Sequence, residues 1–347
     1  MKKTIITFLL CAAALLVTVS CGKSENGMMF ANTAMGNFEA LWHIMDEHYC
    51  FFDFKKQELG VDWNEVHDRY RAAISDNMTQ MALFEVLANM LSELQDGHVN
   101  LYGTYDVGRN WHWKTDYPSN YSKELRDIYL GDDSKMAGLM EYTVLEDNIG
   151  YIVIESFQSS VSDSRLDAVL HYLSLCNGLI IDIRDNGGGS VSSAETLAAR
   201  FTNEKILVGY TCYKDGPGHN DFSELIPTYI SPAKNNLRWQ KPVALIVNRG
   251  CFSAANDFAV MMKEMPKVRL IGDMTGGGGG MPISSELPNG WSVRFSSAPS
   301  FDARGEHVEG GIDPHQQVSL TDSDKARGVD TLIEAAREWI NGMLVNP

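Results

Sequence analysis

Basic side chains are in short supply in this sequence. Its 347 residues carry 29 Lys and Arg against 45 Asp and Glu, a formal net charge of −16. A surface of that sign repels phosphate backbones and anionic headgroups, so no nucleic-acid partner is expected and charge does not attach the chain to a membrane. Cysteine is scarce and unpatterned. Of six residues, Cys11 and Cys21 fall in the first stretch, while Cys50, Cys176, Cys212 and Cys251 show no paired spacing. That is neither a zinc pattern nor a dense disulfide framework, and at most one disulfide stays open. The glycine-rich segments lack what nucleotide loops require: no Lys-Ser/Thr follows RDNGGGS, and GxGxxG is absent. There is no internal repeat and no low-complexity tract apart from the glycines. Nothing in the residues calls for a metal or a cofactor.

What is present begins with a leader. Met1-Lys2-Lys3 is a short positive region, and ITFLLCAAALLVTV is an apolar run too short and wrongly flanked for a membrane span. It runs into VTVSCGKSE, where a small residue before Cys21 resembles the lipobox of bacterial lipoproteins. That resemblance implies a signal peptide over 1–20, a lipid on Cys21, a tether over 21–30, and a place in the bacterial cell envelope, in the periplasm or at the outer membrane or cell surface. An ordinary secretory signal cut nearby is the alternative. Attachment would come from the lipid.

From Asn37 the apolar spacing predicts helices. Phe38, Leu41, Trp42, Met45 and Tyr49 share one face, as do Trp63, Val66, Tyr70, Ala73 and Ile74. Thr79 caps a third helix, and Asp96-Gly97 is expected to stop it. His98 then stands on a junction before VNLYG. Residues 31–102 thus read as an N-terminal helical lobe, and 103–147 as an irregular, aromatic-rich insert around RNWHWKTDYPSNY. From 148 to 347 strands alternate with helices: IGYIVIESF, DSRLDAVLHYLSL, GLIIDI, KILVGY, VALIV, VRLIG, a hairpin at Asn289-Gly290 that suggests a tight primed turn, and the amphipathic TLIEAAREWINGML. GLIIDI is a continuous apolar run but for Asp182, as in a strand covered on both faces. The fold class is α/β, with the helical lobe in front of it.

Three segments carry candidate chemistry. RGCFSAANDFAV places one hydroxyl, Ser253, between the strand VALIV and a helix. It reads either as a helix N-cap or as a nucleophile whose acyl oxygen meets the Ala254 N–H at a positive helix end. GCFSA is not the GxSxG elbow. RDNGGGS reads either as a tight strand-to-helix turn or as the source of a second oxyanion donor, Gly187 or Gly188. TGGGGG, Thr275 to Gly280, reads as a flexible substrate-side loop or a floppy connection. A serine nucleophile needs a base, and spacing alone does not choose among nine histidines; His98 is on a junction, His171 within a helix, and His307 and His315 flank EHVEGGIDPH. Glu309 in that segment is a candidate to orient the base, or a solvated turn residue.

Together LQDGHVNLYG, GLIIDIRDNGGGS, ALIVNRGCFSAANDFAV with VRLIGDMTGG, and LPNGWSV…GEHVEGGIDP resemble, in order, the S41 peptidases, the C-terminal processing or tail-specific proteases with tricorn-like and retinoid-binding-protein-like relatives. The resemblance spans roughly Leu94 to Val318. It implies a ClpP/crotonase-like core, Ser253 as nucleophile, and an oxyanion hole from Ala254 with Gly187 or Gly188. The processing-protease version of the family uses a lysine after the Thr-Gly turn, and none stands there; the tricorn-like version uses a histidine before the core, which His98 matches, with Glu309 as the acid. Gly97 departs from that version, in which a serine precedes the histidine, and Asn256-Asp257 replaces a frequent glutamate, with only a packing consequence expected. Residues 103–147 fall short of the ~50 at which independent domains begin, so the family's PDZ module is not expected.

The expected function is therefore that of an exported, lipid-anchored serine endopeptidase acting on peptides or unfolded protein segments. The rival is a non-catalytic protein on the same fold that binds an apolar ligand or peptide, with the aromatic insert lining its pocket. An acyl-CoA enzyme is disfavoured by export.

Overall fold

The structure is a computed structural model and describes residues 30–345 except 110, 112–114 and 116. The expected signal peptide, Cys21 and nearly all of the tether lie outside the described residues. Among those described, no helix is long and apolar enough to cross a membrane.

The chain opens with four helices, α1 (Ala34–His48), α2 (Phe52–Leu59), α3 (Trp63–Arg71) and α4 (Gln80–Ser92). Thr33, Asp62 and Thr79 cap α1, α3 and α4 through their side chains. The apolar faces predicted above meet: Phe38, Leu41, Met45, Trp63, Val66 and Leu87 form one buried cluster. Val293 and Phe295 belong to the same cluster. The lobe is thus completed by strands. β1 (Asn100–Tyr102) and β2 (Val107–Arg109) join a six-stranded sheet with β7 (Ile206–Thr211), β8 (Ile226–Ile230), β11 (Gly280–Glu286) and β12 (Ser292–Phe301). Strand β12 pairs with β1 at one end and with β7 at the other, so it ties the lobe to the rest of the molecule.

The second sheet has seven strands in the order β13-β10-β9-β6-β5-β4-β3. β5 (Gly150–Ile154), β6 (Leu179–Asp182), β9 (Val243–Val247), β10 (Val268–Gly272) and β13 (Gln316–Gln317) run parallel. α6 (Asp163–Tyr172), α7 (Val191–Ala198) and α8 (Ala254–Lys263) cover one face; α10 (Thr331–Val345) covers the other, after the short α9 (Asp322–Lys325). The continuous apolar runs follow from this. In β9, Val243, Leu245 and Val247 enter the cluster under α8, whereas Ala244 and Ile246 enter the cluster under α10. Burying each such aliphatic side chain contributes about 1.5–3 kcal/mol.

Three expectations differ from the structure. Residues 103–147 are not simply irregular: α5 (Lys123–Leu130) lies within them, and β3 (Lys135–Ala137) and β4 (Met140–Val144) extend the seven-stranded sheet as antiparallel strands. The core sheet therefore starts before residue 148. Of Asn289-Gly290, only Gly290 takes positive φ; Asn289 is held instead by its N–H, which donates to Asn37 on α1. The four described cysteines are all free and buried, and no disulfide joins them.

Candidate active site

The strand β9 ends at Val247, and a turn held by Asn248 carries the chain into α8. Asn248 Oδ1 accepts the Asp185 and Gly250 N–H groups, and its amide donates to Asp185 and to the Ser119 carbonyl. Ser253 occupies the N-cap position of α8 yet makes no capping hydrogen bond. Its backbone sits at φ 56° and ψ −126°, a region that costs a non-glycine residue on the order of 1–3 kcal/mol and persists only where neighbours hold it. They do: the Ser253 N–H donates to Gly277 O, and the Phe252 N–H to Asn186 O. The hydroxyl is thereby turned off the helix axis, and Oγ lies 3.0 Å from His98 Nε2.

His98 reaches this position from the other sheet. It lies on the turn between α4 and β1, and its N–H donates to Asp96 Oδ1 at 2.7 Å. Asp96 Oδ2 accepts from Tyr49 OH and from Ser296 Oγ, which fixes the turn to α1 and β12. The reversal after α4 is made by Gln95 at φ 45°, not by Gly97. Gly97 is small for another reason. A Cβ there would lie 2.7 Å from the Phe252 ring, which packs 4.8 Å from the His98 imidazole. A serine before the histidine would require the Phe252 ring to shift. Of the other candidate histidines, His171 is exposed on α6, His315 Nδ1 accepts from Leu270 N–H, and His307 packs between Phe301, Phe51 and Phe54.

Glu309 is buried near the site but is not brought to His98. One carboxylate oxygen takes Lys55 Nζ at 3.0 Å, the other the Gly279 N–H at 3.1 Å. Burial and the nearby Asp96 carboxylate push Glu309 upward, while Lys55 opposes the shift. For Lys55, burial acts downward and the Glu309 and Asp96 charges outweigh it, so the ammonium stays charged. The sequence leaves open whether the acid of this version of the family touches His98; here Glu309 instead forms an ion pair between the N-terminal lobe and the segment after β12. Lys55 has no local signal in FFDFKK, because its partner is distant in the chain.

The glycine segments also resolve. The Gly188 N–H donates to Asn186 Oδ1 at 2.9 Å, so of the two glycines expected to supply a donor, Gly187 is the one whose N–H has no protein partner among the described residues. Gly188 has φ 94°, and a Cβ on it would stand 2.9 Å from the Ala254 nitrogen. Only glycine leaves the space before that N–H open. Thr275–Gly280 is not an exposed loop: it is buried throughout, with Gly277 O accepting from Ser253 N–H and the Gly278 N–H donating to Glu309 O. Asn256 does have a packing role, linking Thr275 Oγ1 and Val308 O.

Ser253 lines two depressions. One, of about 250 Å³, is bordered by His98, Trp111, Gly187, Gly188 and Arg109. The other, of about 260 Å³, runs along α8 past Asp257. An extended chain laid across the serine would touch both. The geometry meets the requirement of acyl transfer: a hydroxyl within hydrogen-bond reach of an imidazole, and uncommitted N–H groups at a helix start.

The model of peptidase family S41 matches residues 148–318, and that of the tricorn protease C1 domain matches residues 30–92. The chain belongs to peptidase family S41. It is 50% identical to a Parabacteroides merdae protein for which a peptidase role has been proposed; that crystal structure superposes with a TM-score of 0.84, covering 89% of this chain and 96% of the other. Mature CPAF complexed with lactacystin has a TM-score of 0.69 at 13% identity, over 90% and 97% of the two chains, and so shares the fold. The carboxy-terminal processing protease CtpA of Bacillus subtilis is 29% identical over 192 residues, 54% of this chain and 39% of the relative. The chain thus spans about two fifths of the length of the curated relatives it matches first. The seven-stranded mixed sheet, the second sheet and their helices are the α/β architecture of these neighbours.

Two outcomes follow. Replacing Lys55 by Met strands a buried carboxylate, which costs about 3–5 kcal/mol; urea unfolding of Lys55→Met should show this loss, and an unchanged midpoint would refute the coupling. Burial, helped by Glu195, raises Asp257 to about 7. Its native form binds a proton that the unfolded form has released, so its stabilising contribution is complete at low pH and is lost as pH rises through about 7. Asp257→Asn should therefore gain melting temperature relative to the parent between pH 5 and pH 8, and a pH-independent difference would contradict the assignment.

Proposed function

We propose that the protein is an exported serine endopeptidase, lipid-anchored through Cys21, that cleaves peptides or unfolded protein segments. The observation that carries this reading is the 3.0 Å contact between Ser253 Oγ and His98 Nε2, made by an N-cap residue that leaves its helix uncapped. In the reaction, Oγ bonds to the peptide carbonyl carbon as its proton passes to His98 Nε2. The oxygen becomes an oxyanion facing the Ala254 N–H, with Gly187 as the second donor. The C–N bond then breaks, and His98 gives the proton to the departing amine. Water attacks the acyl ester, its proton passing through His98 back to Oγ as the peptide acid leaves.

Glu309 enters as a positioning residue. Its carboxylate holds Gly279, beside the Gly277 carbonyl that fixes Ser253, and pairs with Lys55. Membership of S41 and the CtpA relatives support the peptidase reading. The lipobox-like VTVSC supports the anchor.

The test is digestion of reduced, unfolded casein. The parent protein should release peptides, Ser253→Ala should release none, and His98→Ala should be slower by about 10²–10⁴. Release that survives Ser253→Ala would remove this mechanism.

A further inference from the structure

The cavity that runs from Ser253 along α8 has apolar walls, among them Val208, Val260, Met261 and Val308, but two carboxyls line it. Asp257 stands four residues beyond Ser253, in the first turn of α8, and both line this cavity. Glu195 faces it from α7. Three fully buried carboxylates of this protein are ion-paired, Glu309 with Lys55, and Asp182 and Asp330 with Arg184; Asp257 and Glu195 are half-buried. Asp257 and Glu195 make no side-chain hydrogen bond or ion pair with any described residue. Arg294 borders the same cavity, where it meets the depression on the other side of Ser253, and reaches neither carboxyl within ion-pair distance.

Withdrawing a carboxyl from water without a partner costs free energy and favours its neutral form. Burial raises both groups, Asp257 to about 7. No packing or hydrogen bond within the fold offsets this cost. A cationic occupant would, by restoring the charge and pairing with it. The apolar walls suit the methylene stem of a long basic side chain. The Ala254 N–H and Asp257 share one helical turn. A peptide whose carbonyl oxygen meets that N–H has this cavity beside the side chain of the same residue, since Ser253 and Asp257 both line it.

We propose that this cavity receives a lysine or arginine side chain of the peptide substrate, on the residue whose carbonyl Ser253 attacks, with Asp257 and Glu195 as the residues that determine this specificity. The inference rests on Ser253 being the nucleophile.

The test uses two peptidyl diphenyl phosphonates that differ only at the end of one side chain, guanidino against the uncharged ureido isostere. The rate of the Ser253 adduct is read by intact mass on the parent protein and on Asp257→Asn/Glu195→Gln. The guanidino probe should label the parent at least tenfold faster, and the double variant should bring the two rates together. Equal rates on the parent, or a ratio unchanged in the variant, would overturn the proposal while leaving the nucleophile intact. If neither probe nor a simple fluorophosphonate modifies Ser253, the nucleophile assignment fails and this inference with it.

Discussion

A lysine and a glutamate, both withdrawn from water, hold the two halves of this protein in register. Moving either ion out of solvent costs several kcal/mol, so the fold tolerates Lys55 and Glu309 only because they meet at 3.0 Å and because the second glutamate oxygen is taken by the Gly279 N–H. Each partner lies beside one half of the reactive pair. Lys55 reaches toward the Gln95 carbonyl, at the start of the turn that carries His98. Glu309 grips the glycine segment whose Gly277 carbonyl receives the Ser253 N–H. Apolar residues of the same volume would fill the space as stably. They would not set the distance between an imidazole and a hydroxyl that come from different sheets.

Around that clamp, small residues do the rest. The turn before α8 asks Ser253 for a left-handed backbone, and the Asn186 carbonyl and Gly277 meet that demand with hydrogen bonds. Gly188 leaves the Ala254 N–H uncovered, and Gly97 lets the Phe252 ring lie against His98. Strain at Ser253 and crowding at these glycines have one consequence: the hydroxyl faces a partner across the lobe interface instead of capping its own helix.

Much of this was legible in the sequence because it is local. Continuous apolar runs marked the parallel strands, and Thr79 marked a helix start. The residues alone left the base open among nine histidines; it was the resemblance of the DGH, NGGGS, CFSAA and EGGIDP segments, in order, to the S41 peptidases that implied Ser253 and His98 together. What was not legible depends on contacts far apart in the chain. The Lys55 partner of Glu309 is an example, and so is the buried state of Thr275–Gly280, which composition alone presents as loose chain. The hairpin of β3 and β4 was hidden by its position inside an aromatic-rich segment with weak alternation, and it joins the sheet only through pairing with β5. Gly97 looked like a helix stop because glycine commonly is one; its neighbour in space, Phe252, decides otherwise.

The most direct measurement is covalent labelling of the folded protein with a fluorophosphonate, followed by peptide mapping of the adduct. The account predicts one adduct, on Ser253, formed at a rate that collapses in His98→Ala while the variant keeps its fold by circular dichroism. A folded protein that gives no adduct, or a Ser253 adduct whose rate is indifferent to His98, would contradict an activated serine at this interface.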